Sequence, residues 1–380
     1  MALTCLGSAQ GILNRKVLLL DGGLGTTLED QHNVKFSSEE TPLWSSHLLV
    51  SSPETLLKVQ TAFAKAGADI LLTATYQASY DGMGKTPMIA HWKHEKHPRY
   101  PPPEAKALLT SAVSISKNAV KQNGRPALIA LSLGAYGATL IPSQEYTGDY
   151  GEIDRASLHG FHQHRLDAFI QDDEAWNNID IIAFETLPTL GEIIAVRDVM
   201  QTCQDIVDGR RDGYISKDRK FETKPFWISC VFPNDNDELP DGSSIDLVLK
   251  AMLRKIPLRP RPYAIGINCT KVQKISRLVR NFEDAYHKLG EGYFTLPRLV
   301  IYPDGAGDRV YDTKTQKWVG DQSEGVPWDQ QMFGLVKEIQ QRGKWEGILV
   351  GGCCKTTPEH IAKLRMRMDE WVGEATHAEG

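Results

Sequence analysis

The chain has 380 residues, 41% of them hydrophobic and 24% charged, with a formal net charge of -5. That length suits one large α/β barrel or two ordinary domains. The acidic balance argues against nucleic-acid binding. No apolar run reaches the ~20 residues that span a bilayer. The first residues lack the basic start and long apolar stretch of a signal peptide, so the cytosol is the expected compartment.

Residues 1–15 read as a tail. From Lys16 onward, strand-like apolar runs alternate with longer amphipathic segments. The runs are KVLLLDGG from Lys16, ADILLTATY from Ala68, PALIALSLG from Pro126 and IDIIAFET from Ile179. PFWISCVF from Pro225, YAIGINC from Tyr263, LVIYPDG from Leu299 and GILVGGCC from Gly347 complete the set. Each is nearly continuous in aliphatic residues, the pattern of parallel strands buried on both faces. The first long intervening segment opens at Pro53 and stops at Gly67, as helices do, and the next stops at Gly124. Eight strand–helix pairs predict a single-domain (β/α)8 TIM barrel over residues 16–372, with loop insertions and a tail at 373–380. A doubly wound open sheet is the alternative. It is weakened because no G-x-G-x-x-G run follows the first strand.

The insertions cover residues 80–103 and 208–224. The first would lie over the catalytic rim as a lid. Its His91, His94 and His97 read as part of a charged, proline-rich loop rather than a metal run. The second, basic insertion reads as a solvated loop at the opposite end.

In such barrels the active site lies at the C-terminal ends of the strands. That rim would receive Asp21, Gly22, Thr73, Thr75, Gln77, Glu185, Thr186, Asn268, Cys269, Cys353 and Cys354. Of six cysteines, Cys5, Cys203 and Cys230 read as small apolar residues, and a disulfide framework is not expected in a reducing compartment. The adjacent Cys353 and Cys354 follow Gly351 and Gly352. Neighbouring strand residues point to opposite faces, so both sulfurs serve one site only if the backbone turns there. The glycines are expected to supply that turn through unusual dihedrals. With Cys269 they suggest a thiolate metal site of three ligands and one open position.

DGGLGTTLE, LTATYQAS, SLGAYGATL with EYTGDYG, FETLPTLGE, GINCTK and GGCCKTTPEHI occur in order between Leu18 and Ile361. Together they resemble the homocysteine S-methyltransferases, most closely the branch using S-methylmethionine or S-adenosylmethionine. The resemblance implies a zinc-bearing barrel that methylates L-homocysteine to methionine. It implies Zn2+ on Cys269, Cys353 and Cys354, with Asp21 and Gly22 holding homocysteine and Glu185 near its amino group. Asn268 accompanies the first zinc cysteine as in the family, and the second-strand end bearing Thr73 and Gln77 is similar. Ala74 stands where cobalamin-dependent relatives often carry asparagine, which favours a sulfonium donor.

The chemistry follows. A free thiol is mostly protonated at neutral pH, and zinc ligation removes that proton. A sulfonium loses its charge during transfer, so a carboxylate beside it would stabilise the ground state more than the transition state. Aromatic faces suit it better, and Trp44, Tyr76, Tyr136 and Tyr146 are candidates. The alternatives are a betaine- or folate-dependent methyltransferase and a non-catalytic zinc barrel that binds thiol metabolites.

Overall fold

The computed structural model describes residues 9–37, 40–86, 103–211, 222–312, 315, 317–320 and 325–378. Cys5, His91, His94, His97 and residues 87–102 of the expected lid lie outside the described residues, as does most of the second insertion; the lid's first residues, Tyr80–Lys85, form a short helix.

Among the described residues, eight parallel strands form one sheet: β1 (Val17–Leu19), β2 (Ile70–Leu72), β3 (Leu128–Gly134), β4 (Ile181–Leu187), β5 (Phe226–Cys230), β6 (Ala264–Lys271), β7 (Arg298–Asp304) and β10 (Ile348–Val350). The order β1-β10-β7-β6-β5-β4-β3-β2 places the first two strands at opposite ends of the sheet. A parallel bridge, Leu20↔Ile70, brings them together and rounds the sheet into a barrel. The continuous apolar runs arise because alternate residues serve two cores. Leu18, Leu20, Ile70, Trp227, Val300 and Leu349 fill the interior. Leu19, Leu71, Ile182, Ile301 and Val350 point outward into the layer of helices.

The helices around the barrel include α2 (Leu24–His32), α3 (Leu48–Ser51), α4 (Pro53–Lys65), α5 (Tyr80–Lys85), α6 (Pro103–Asn123), α7 (Arg155–Ile170), α8 (Asp173–Asn178) and α9 (Leu190–Val207). α10 (Ile245–Leu253), α11 (Val272–His287), α12 (Trp328–Arg342) and α13 (Pro358–Ala378) continue the series. Pro53 starts α4, and Gly67 takes φ +97° just past its end.

Two features differ from the sequence reading. Residues Ala9–Leu13 form a short helix, α1, whose Ile12 and Leu13 join the barrel-interior cluster rather than a loose tail. The Tyr263 hydroxyl fixes it by donating to the Leu13 carbonyl at 2.6 Å. After β7, an antiparallel hairpin of β8 (Val310–Asp312) and β9 (Lys317–Val319) was not foreseen. It extends from the C-terminal end of β7, which is the rim expected to carry the chemistry.

Candidate active site at the C-terminal rim

The loop after β10 brings the sulfurs together. Gly351 and Gly352 are not among the residues with positive φ, so the expected reason for them is corrected. A Cβ at Gly351 would collide with Leu20, and one at Gly352 with the Thr356 side chain. Both glycines are needed for close approach. Gly352 N–H donates to the Asp21 carbonyl (3.0 Å), and Gly23 N–H to the Thr356 carbonyl (2.9 Å), locking this loop to the one after β1.

Cys269 sits where β6 shifts register against β7, between Asn268 and Lys271. Its φ is +46°, and that of Thr186 beside it is +61°. Positive φ is uncommon outside glycine and strained for a β-branched residue such as threonine. Asn268, fully buried, holds both. Its Oδ1 accepts from Thr186 N–H at 2.8 Å. Its Nδ2 donates to Thr186 Oγ1 at 2.6 Å and to Cys269 Sγ at 3.3 Å.

The Sγ atoms of Cys269, Cys353 and Cys354 lie within 4.8 Å of one another. Cys269 and Cys353 are joined as a disulfide, with Cα atoms 5.5 Å apart, and Cys354 is a free thiol. This pairing was not expected from the sequence; sulfurs aimed at one point lie within bonding reach of each other. Burial pushes the Cys354 thiol up to about 12, and neighbouring acidic groups add to the rise. Cys203 and Cys230 are free and buried in the core, as expected.

These sulfurs border a cavity of about 180 Å³ that is also lined by Asp21, Gly22, Thr73, Gln77 and Glu185. Asp21 is 5% exposed, and its Oδ2 accepts from Leu72 N–H at 2.9 Å. Burial raises its pKa well above the usual aspartate value, and the charge of Glu185 raises it further. Glu185 accepts from the Ser132 hydroxyl and from Tyr302, and burial lifts it to about 7. Tyr302 is fixed by Ser229 at 2.7 Å and by Trp227 Nε1 at 3.2 Å. The Thr73 hydroxyl is bonded to Thr75 Oγ1 at 2.7 Å and accepts from Ser132 N–H at 3.0 Å.

A family profile described as homocysteine S-methyltransferase matches residues 18–368. The chain belongs to the homocysteine S-methyltransferase family. It is 30% identical to homocysteine S-methyltransferase 2 of Zea mays, over 97% of each chain. It is 29% identical to homocysteine S-methyltransferase 1 of Arabidopsis thaliana, over 90% of each. Among solved structures, the metallated homocysteine methyltransferase MmuM from Escherichia coli superposes with a TM-score of 0.63. The two share 27% identity over 93% of this chain and 96% of MmuM.

Within this family member, not every rim residue reaches the cavity. Asn268, Thr75 and Thr186 are absent from its lining; behind it Asn268 and Thr186 bond each other, and Thr75 bonds Thr73 and donates to the Ser132 carbonyl. Of the aromatic candidates, Trp44, Tyr76 and Tyr146 line the cavity. Tyr136 does not: it packs edge-on against Tyr150 (5.3 Å) and Phe161 (5.2 Å). Sequence reasoning missed Ser132, Glu145, Tyr302, Tyr311 and Trp318, all in the lining. Tyr302 lies in LVIYPDG, where an inward aromatic reads as core. Tyr311 and Trp318 sit on the unforeseen hairpin, with ring centroids 5.4 Å apart.

Proposed function

We propose that this cavity transfers a methyl group from S-methylmethionine, with S-adenosylmethionine as a second donor, to the thiol of L-homocysteine. The observation that carries the reading is the convergence of three cysteine sulfurs within 4.8 Å on a cavity lined by carboxylates and aromatic rings. This donor set fits zinc: three sulfur ligands leave a fourth position for a substrate thiol. Cys269, Cys353 and Cys354, all reduced, would hold the ion. When bound, zinc lowers the pKa of the acceptor thiol so that it reacts as a thiolate.

The remaining work falls to side chains. Asp21 and Glu185 take the α-ammonium of homocysteine. Leu72 N–H fixes the first, and Ser132 and Tyr302 fix the second. Asn268 keeps Cys269 in its positive-φ conformation. Aromatic rings exclude water and face the sulfonium, where cation–π attraction is weak enough to release the charge. The acceptor sulfur forms the new S–CH3 bond as the donor's S–CH3 bond breaks. The bonding pair stays on the donor sulfur, which leaves as a neutral thioether, and the thiol proton goes to solvent. Orientation of two bound reactants supplies much of the rate.

A donor panel tests this. Reduced, zinc-loaded protein should form methionine from homocysteine with S-methylmethionine, more slowly with S-adenosylmethionine, and not with betaine or methyltetrahydrofolate. Turnover with betaine alone would contradict the assignment.

A further inference from the structure

The geometry points to Glu145 as the residue that receives the α-ammonium group of the methyl donor, so that it selects amino-acid sulfonium donors over those lacking an amine. This rests on the methyl-transfer reading above and adds a specificity determinant to it. Glu145 lies on the loop between β3 and α7, lines the cavity and is 6% exposed. Its carboxylate is bonded by the Ser143 hydroxyl and by its own backbone amide. Its Oε2 is buried and meets no hydrogen-bond partner among the described residues. A buried carboxylate oxygen without a donor is costly, and native proteins rarely keep one unless something else fills the position.

Among the described residues no group supplies that donor, and a ligand ammonium fits the position. The described residues lining the cavity include the carboxylates Asp21, Glu29, Glu145 and Glu185 but no lysine, arginine or histidine. Two substrates enter, and each brings one α-ammonium. The acidic groups divide accordingly. Asp21 feels the charge of Glu185, so these two form one station at the ends of β1 and β4. Glu145 lines the same cavity as Tyr76, Tyr146 and Tyr311, and its charge reaches all three rings, among the aromatic groups suited to a sulfonium. It stands outside the sulfur cluster. A carboxylate on the donor's ammonium leaves the sulfonium itself to the rings, so binding does not resist the loss of charge at sulfur.

The loop that carries Glu145 is held firmly. A Cβ on Gly137 would stand 2.9 Å from Glu145 N and 2.8 Å from Gln144 C, so only glycine admits this close backbone crossing. Gln144 N–H donates to the Gly137 carbonyl at 2.8 Å. Glu192, fully buried, ties both flanks. It accepts from Tyr136 N–H at 2.6 Å and from the Tyr150 hydroxyl at 2.7 Å. It also bonds His162 Nε2 at 2.8 Å.

The experiment compares Glu145→Gln with wild type. Calorimetry would measure binding of S-methylmethionine and of its deamino analogue, 4-(dimethylsulfonio)butanoate, and steady-state assays would give KM for homocysteine. Charge-assisted hydrogen bonds imply a loss of about tenfold to a hundredfold in S-methylmethionine affinity. Binding of the analogue and KM for homocysteine should not change, and Glu145→Asp should recover part of the loss. Unfolding temperature and zinc content check that the variants are intact. Equal losses for both ligands would show a purely structural role and overturn the proposal. So would a rise in KM for homocysteine with donor binding intact, or a wild type indifferent to the missing amine. If wild type binds S-methylmethionine but makes no methionine, the methyl-transfer reading fails, and the binding ratio alone decides the role of Glu145.

Discussion

Asp21 and Glu185 show how one buried site can be ready for a cation. Each carboxylate is driven toward its neutral form, Glu185 to about 7. An ammonium needs the charged form, so affinity for the α-amino group should rise as pH climbs through about 7. L-methionine is a suitable probe because it has the amine without a thiol that titrates. Its affinity should increase by about tenfold between pH 6 and pH 8. Glu185→Gln should weaken binding and flatten the profile. The sign for the free protein is opposite. The folded state keeps a proton on Glu185 above the ordinary 4.5, so this group's contribution to stability falls as pH rises from there to about 7. Much of this site was legible: Asp21, Glu185 and the three cysteines are polar residues stranded at the ends of apolar runs. Asn268 was legible as a site residue but not in its role, because its contacts with Thr186 and Cys269 depend on a register shift that no spacing reveals.

The β8–β9 hairpin brings Tyr311 and Trp318 to the cavity at the level of an element. The Nζ atoms of Lys271 and Lys355 each lie 5.8 Å from the centre of the Trp318 ring. Those lysines are themselves paired with Asp304 and Asp30, so the indole is packed among fixed charges. Trp318→Ala should raise KM for S-methylmethionine by about tenfold, the value of one partly desolvated cation–π contact with its buried area. KM for homocysteine should change little when each substrate is varied in turn. The barrel strands were readable because both of their faces are buried, which leaves continuous aliphatic runs. The hairpin was not, because VYD and KWV are three residues each and half-exposed. Similarly, α1 spans five residues, too few for helical periodicity to show.

Closure of the barrel depends on the seam between β1 and β2, where pairing is reduced to the Leu20↔Ile70 bridge. Asp69, 1% exposed, reinforces it from the N-terminal side. It accepts from Leu19 N–H at 2.9 Å and pairs with Arg15 (3.1 Å), Arg125 (2.9 Å) and Arg365. Arg15 and Arg125 are more than a third exposed, so the cost of losing the buried carboxylate comes mainly from the Leu19 N–H and Arg365 it leaves behind. Asp69→Ala should lower unfolding free energy by about 2 kcal/mol in urea titrations, without changing donor preference in protein that remains folded. The closed seam also fixes Asp21 against the loop that carries Cys353 and Cys354. Fold and chemistry therefore meet at GGCC. The most direct test is methionine formation from homocysteine and S-methylmethionine by the Cys269→Ala, Cys353→Ala, Cys354→Ala triple variant beside reduced wild type. Wild type should carry about one zinc per chain and turn over, lose activity on chelation and regain it with zinc, while the triple variant should hold no zinc and form no methionine. Wild-type rates from a folded, metal-free triple variant would contradict the thiolate-metal basis of the site.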